Sequence, residues 1–438
     1  MEPVALIAFA GLCLYACTRP AVALALIILM FPAEIVLQGV SPALRSSGLG
    51  LKAVNIAVGA VALIAASGVA IRSPAAITKL LSPACLSVYA LFGWSAITLL
   101  WSPGAEAGSE VIMGQLPYFF VILVLAPLLI SSIDEFAAVT SAILLGSCVL
   151  CCIVLVSPEF VTKDTRLGFE LGTAARSNPL ALGEMGGLGI IFGMLARRTT
   201  LGAWALPLRA IAVTAGAAVA IQSGSRGQFF YALAIAVAFL PVSAPVKNLR
   251  GFILTTASVA FVLIASYILL GSILFGAAEK RFSIEGLLYG SSSSETRVAN
   301  VLALAGAWAD RPFALIAGLG FYAFNGLFAD TGNIYSHVLF ADMIFEEGIP
   351  GLFLFGSFMF VASSSAVGLV RRAAPLLVAR TSAAILVAMF AYQILLVNKQ
   401  GTLWGSMPFF LFGLLIVDMH RSFEPQSSED QDPWLSHD

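Results

Sequence analysis

The sequence predicts an all-α fold: a polytopic integral membrane protein of about 12 transmembrane helices, with a long external loop containing amphipathic helices. Three observations predict it. Hydrophobic residues make up 59% of the 438-residue chain and charged residues 11%, against about 25% charged in a soluble domain. Apolar runs of roughly the 20 residues needed to cross a bilayer core recur along nearly the whole chain, and mean hydropathy is +0.96. Charged residues gather mostly in the connections, and charges in the middle of the runs are scarce.

Taken in order, the runs fall near 4–17, 20–38, 49–71, 81–101, 111–130, 136–157, 181–196, 208–221, 227–243, 251–275, 348–370, 380–397 and 403–418. They make thirteen spans, or twelve if 4–38 is one helix broken around Thr18-Arg19-Pro20. The first run has no positive segment before it and is expected to stay as a membrane segment rather than be cleaved as a signal. Lys and Arg concentrate on the cytoplasmic side of membrane proteins. One set of connections holds Arg19, Arg72, Lys79, Arg197, Arg198, Arg209, Lys247, Arg250, Arg371, Arg372, Arg380 and Arg421; the other holds Arg45, Arg226 and Lys399, with Lys52 just inside a span. The first set is therefore expected inside, and the polar insertions 158–180 and 276–347, with the turn 222–226, outside. Residues 1–421 are expected to form a single transmembrane domain whose external loops make the active face, and 422–438 a disordered cytoplasmic tail. Within the long loop, 290-GSSSS-294 reads as a flexible hinge. The six cysteines all lie in apolar runs and read as small buried hydrophobes.

Four elements converge on the expected outer face. The segment 166-RLGFELGTAARSNPLALGE-184 carries Arg166 and Arg176 ahead of Asn178-Pro179, with Glu184 one turn into the next helix. In 223-SGSRGQ-228, Arg226 stands among small residues at a helix entrance. Arg297 lies on an amphipathic helix whose apolar members Val298, Val301, Leu302, Ala305 and Trp308 repeat at helical spacing. Last, His337 is followed by Asp342, Glu346 and Glu347. Each has a plainer explanation. An arginine at a helix end often only snorkels to headgroups. Gly183, Gly187, Gly189 and Gly193 suit close helix packing. The glutamates could be solvated or cap a helix, and His337 could be an ordinary interfacial histidine. Jointly, several arginines at separate helix mouths with one histidine make an anion cradle holding a titratable group. Guanidinium donors match phosphate oxygens in pairs, and a neutral imidazole can take a proton from a hydroxyl. There is no G-x-S-x-G elbow, no HExxH, no P-loop and no acid cluster with metal spacing. Glycosyl or phosphoryl transfer at a lipid diphosphate, driven by positioning and electrostatics, is the chemistry this set suits.

Four motifs also occur together: Ser177-Asn178-Pro179-Leu180, SxSRG from Ser223 to Gly227, R...W...RPF-x4-GLGF from Arg297 to Phe321, and H-x9-EGIPGL from His337 to Leu352. In these the chain resembles the O-antigen ligase and O-antigen polymerase superfamily of bacterial inner-membrane proteins, over roughly residues 160–360. The resemblance implies a metal-independent glycosyltransferase without cofactor, working at the periplasmic face. Its donor would be a glycan on undecaprenyl diphosphate, and its acceptor a sugar hydroxyl of lipid A-core (a ligase, the favoured reading) or the next repeat unit (a polymerase). By matching positions, Arg226 and Arg297 would bind the diphosphate, with Arg166 and Arg176 nearby, and His337 would be the base. Asn178, Glu184, Asp342 and Glu347 are possible supports. Many relatives read His-Asn where this chain has His337-Val338, and NP-N where Leu180 stands. Expected partners are the lipid-linked donor, the acceptor and membrane lipids; a net charge of -1 with no basic tract suggests no nucleic acid. A lipid-linked glycan transporter or flippase is the more distant alternative, disfavoured by arginines that cluster at one face.

Overall fold

The computed structural model describes residues 2–45, 48–163, 166–171, 175–176, 178–196, 201–244, 292–329 and 335–423. The expected span 251–275, the 276–291 part of the long loop and residues 424–438 of the tail lie outside the described residues. Of the described residues, 83% are helical. Among the described residues seven helices are long and apolar enough to cross a membrane, or up to nine if each of two sharply bent pairs counts as one span.

Prolines account for the interruptions. Helix Glu2–Cys17 stops at Thr18-Arg19, and Pro20 opens the next. That next run is itself bent by 70° between Pro20–Ile28 and Met30–Val40. The ring of Pro32 would collide with the carbonyl of residue 28 in a continuous helix, so the break falls between them, and Pro32 sits in the first turn of the second piece, where a proline is tolerated. Pro117 lies near the end of Ala105–Phe119, and the span continues through a π-type turn at Phe120–Leu125. Ser82 and Ser132 cap their helices through side-chain oxygens, the latter with Glu135 in a reciprocal capping box.

The segment 158–180, expected as an external loop, contains two short antiparallel strand pairs, Val161–Lys163 with Arg166–Gly168 and Glu170–Leu171 with Ala175–Arg176. Behind them, Pro179–Leu195 packs closely on Ala205–Gln222. An added Cβ at Gly189 would sit 2.8 Å from the Ala212 carbonyl oxygen, and one at Gly193 2.9 Å from that of Arg209. The expected packing role of the glycine stripe therefore holds. Leu377–Gln400 is the most enclosed of the spans, with 72% of its apolar window buried. Lys399 and Gln400 are its last two residues.

Candidate functional site

Two motifs distant in sequence meet through their backbones. The N–H groups of Leu319 and Gly320 donate to the carbonyls of Phe345 and Glu346 at 2.8 and 2.9 Å. Gly318 and Gly348 face each other there, both in the left-handed region (φ +78° and +64°), with no room for a side chain. The N-terminal half of the chain clamps this strap. Ser102 Oγ donates to the Phe321 carbonyl at 2.7 Å, and the Phe321 N–H donates to Thr98 Oγ1 at 2.8 Å. The Trp94 indole N–H donates to the Glu347 carbonyl at 2.9 Å.

The acids beyond His337 belong to this scaffold. Glu346 is buried and accepts from the N–H groups of Tyr322 (3.1 Å) and Phe324 (2.8 Å), so it caps a neighbouring helix rather than its own. Burial pushes its pKa up to about 7. Glu347 is completely buried and neither carboxyl oxygen has a hydrogen-bond partner; burial, then Glu346, raise it well above the usual range. Asp342 accepts from the Ser336 hydroxyl. Its burial and the nearby Glu346 carboxylate also raise it well above the ordinary aspartate range. The expectation of solvated glutamates is corrected: Glu346 and Glu347 are buried inside the protein, and burial shifts Asp342 and Glu347 toward their protonated forms.

His337 rests on that base. It follows Ser336, whose oxygen accepts from the Val338 N–H at 3.0 Å, and its own φ is +69°. A non-glycine residue held in this region is uncommon, and such strain gathers at functional sites. The imidazole leans against the Tyr335 ring with centroids 4.1 Å apart. Its pKa is lowered, first by burial and second by Arg297, which keeps it neutral at pH 7. Burial outweighs the arginine here, and Asp342 does not reverse the shift.

Arg297 lies on Ser292–Ala309. The stripe expected on that helix is split: Leu304 is buried and Trp308 packs on Phe345 at 5.4 Å, while Val298 and Leu302 are more than half exposed. Half-buried Arg297 lies in the electrostatic field of Tyr231 and Tyr335 as well as beside His337.

Lys399 ties the site together. Three guanidinium groups, those of Arg297, Arg166 and Arg226, act on its ammonium, although long stretches of chain separate the four. Its Nζ donates to Gln228 Oε1 at 2.7 Å, and Gln228 Nε2 donates to Gln400 Oε1 at 2.5 Å. Gln228 is fully buried one turn into Arg226–Ser243, which fixes the geometry. Among the described residues Lys399 has no carboxylate partner. Holding a partly buried ammonium among like charges is unfavourable unless an anion joins them.

Of the residues singled out from sequence, Arg166, Arg226, Arg297 and His337 thus share one locality. Asn178 caps Pro179–Leu195, accepting from the Leu180 N–H at 3.0 Å, and Glu184 accepts from Gln393 at 2.7 Å. Both border a cavity of about 660 Å³ beside the cluster. The backbone of Arg176 pairs with Glu170 in the second hairpin. Sequence reasoning passed over Lys399, Gln228 and Tyr335. Lys399 carried a visible signal, as a cation at the C-terminal end of an apolar span with no acid near it in sequence. Among the described residues no three His, Cys, Asp or Glu side chains are grouped to hold a metal ion. No family model and no curated protein matches the chain.

Proposed function

We propose that this chain is a membrane glycosyltransferase that moves a glycan from undecaprenyl diphosphate to a hydroxyl of lipid A-core, as an O-antigen ligase does. The observation that carries the reading is the partly buried Lys399 ammonium lying in the field of Arg297, Arg166 and Arg226, with no carboxylate partner among the described residues, near a histidine kept neutral. Such a cluster suits a group with more than one negative charge, and the paired donors of guanidinium suit phosphate oxygens. His337 takes the proton from the acceptor hydroxyl. That oxygen bonds to the anomeric carbon of the donor sugar, and the bond from that carbon to the phosphate oxygen breaks. The leaving diphosphate keeps the electron pair, and its growing charge is held by the cations already in position.

The proposal includes about 12 spans in the bacterial inner membrane with the site facing the periplasm, as the Lys and Arg asymmetry of the loops suggests. The test is the surface polysaccharide of a strain lacking this protein. Complete glycan left on the carrier lipid, with bare core, is the expected result. Single repeats joined to core would make it a polymerase instead, and unchanged polysaccharide would overturn the proposal.

A further inference from the structure

The cavity beside the cluster differs from it in chemistry. Its polar wall is Glu34 and Gln38 from Met30–Val40, Glu184 from Pro179–Leu195, and Gln393 from Leu377–Gln400. These side chains are already set by one another. Gln38 Nε2 donates to Glu34 at 3.3 Å and to the Leu51 carbonyl at 2.9 Å, and Gln393 holds Glu184. Tyr118 and Tyr335 also line the space, and Lys52 stands exposed at its rim. Behind Tyr118, Asn55 donates to the phenol at 2.8 Å, and its own buried Oδ1 has no partner.

The wall offers a diphosphate two carboxyl groups and no buried cation, so the donor's charged group belongs with Lys399 and the arginines. Carboxylates and amides together accept from and donate to hydroxyl groups, and tyrosine rings offer flat faces for C–H surfaces. The volume, about 660 Å³, lies within the roughly 300–1,000 Å³ of small-molecule sites. We infer that this cavity is the acceptor subsite, binding an uncharged, hydroxyl-rich sugar through Glu34, Gln38, Glu184 and Gln393. Tyr335 connects the two halves of the site: it lines the cavity and its ring touches that of His337. A sugar seated there presents a hydroxyl toward the imidazole, while the anion lies beyond it against Arg297. The assignment rests on the transferase reading, and its test keeps the two separable.

The full chain in lipid nanodiscs is examined by saturation-transfer NMR with two probes in turn: the methyl glycosides of glucose, galactose and N-acetylglucosamine, and inorganic diphosphate. In the unaltered protein both probes are expected to bind. Ala181→Trp, which fills the cavity, and Glu184→Leu should each weaken glycoside binding at least tenfold and leave diphosphate binding within twofold. Glu34→Gln keeps the side chain's size, covers the case in which a larger change disturbs folding, and should weaken the glycosides about tenfold. Lys399→Gln should do the opposite, weakening diphosphate and sparing the glycosides. Glycoside binding that survives all three cavity changes, or that is absent from the unaltered protein, overturns the subsite. Absence of diphosphate binding instead sinks the lipid-diphosphate reading while leaving the sugar result standing.

Discussion

Lys399→Gln separates an anion site from a merely structural cation. The glutamine keeps an N–H donor for Gln228 Oε1, so the bond now made by Lys399 at 2.7 Å has a replacement and the buried glutamine is not orphaned. What disappears is one positive charge facing three guanidinium groups. Two unit charges about 4 Å apart interact by ~4 kcal/mol at an effective dielectric near 20. With partial access of water the loss toward a bound anion should be about 3 kcal/mol, or on the order of 10²-fold in Kd. The ligand-free protein is relieved of like-charge repulsion and should melt at the same temperature or higher. The assay is calorimetric titration of nanodisc-embedded protein with undecaprenyl diphosphate, alongside thermal unfolding without ligand. Lys399→Arg should bind within a few fold of the unaltered protein. Diphosphate binding that is unchanged in Lys399→Gln, or a marked drop in ligand-free stability, would refute the reasoning.

The other expectations follow from the same groups. His337→Ala should lower turnover by about 10²- to 10⁴-fold with donor-lipid binding nearly intact, because the imidazole acts on the acceptor. Its pKa lies below the usual 6.5, so the rate should hold on acidification to pH 6.5 and fall only lower, as the ring protonates; a fall centred above 7 would contradict the assignment. Burial raises the pKa of Glu347 well above the usual range in the folded protein. Its contribution to stability is full below the unfolded value near 4.3 and is lost as pH rises toward the folded value, at about 1.4 kcal/mol per pH unit. Glu347→Gln should therefore flatten the decline in melting temperature as pH rises above about 5, and an unaltered slope would show the carboxyl ionised. For topology, a cysteine placed near Ser292 should react with an impermeant reagent applied from outside, and one near Gln426 should not; the reverse pattern inverts the orientation.

How much of this was legible in the sequence depends on what each residue does. In so apolar a chain every buried charge is conspicuous, which is why Arg166, Arg226, Arg297 and His337 could be chosen before their meeting place was known. Lys399 was read only as a charge that orients the membrane spans, because its neighbours come from chain segments far away. Glu34 sat unnoticed inside an apolar run, since its cavity exists only where the helix bends after Ile28; Pro32 marked that bend. Glu346 and Glu347 were misplaced for a different reason. Two adjacent glutamates ahead of a span resemble a wet helix start, and nothing local announces that Tyr322 and Phe324 come to Glu346 for their N–H groups. The Ser292–Ala309 helix was found from its period, but the packing of Leu304 and Trp308 rotated its buried face away from Val298 and Leu302.

The central claim is that the cation cluster and His337 together transfer a glycan from a lipid diphosphate. Its most direct test uses the purified chain in proteoliposomes with glycan-loaded undecaprenyl diphosphate and lipid A-core, in the presence of a metal chelator. The account predicts that glycan appears on the acceptor in step with the release of undecaprenyl diphosphate, and that Arg226→Ala abolishes both while the protein stays inserted. Undiminished transfer by Arg226→Ala, or no transfer by the unaltered protein from any lipid-diphosphate glycan, would contradict it.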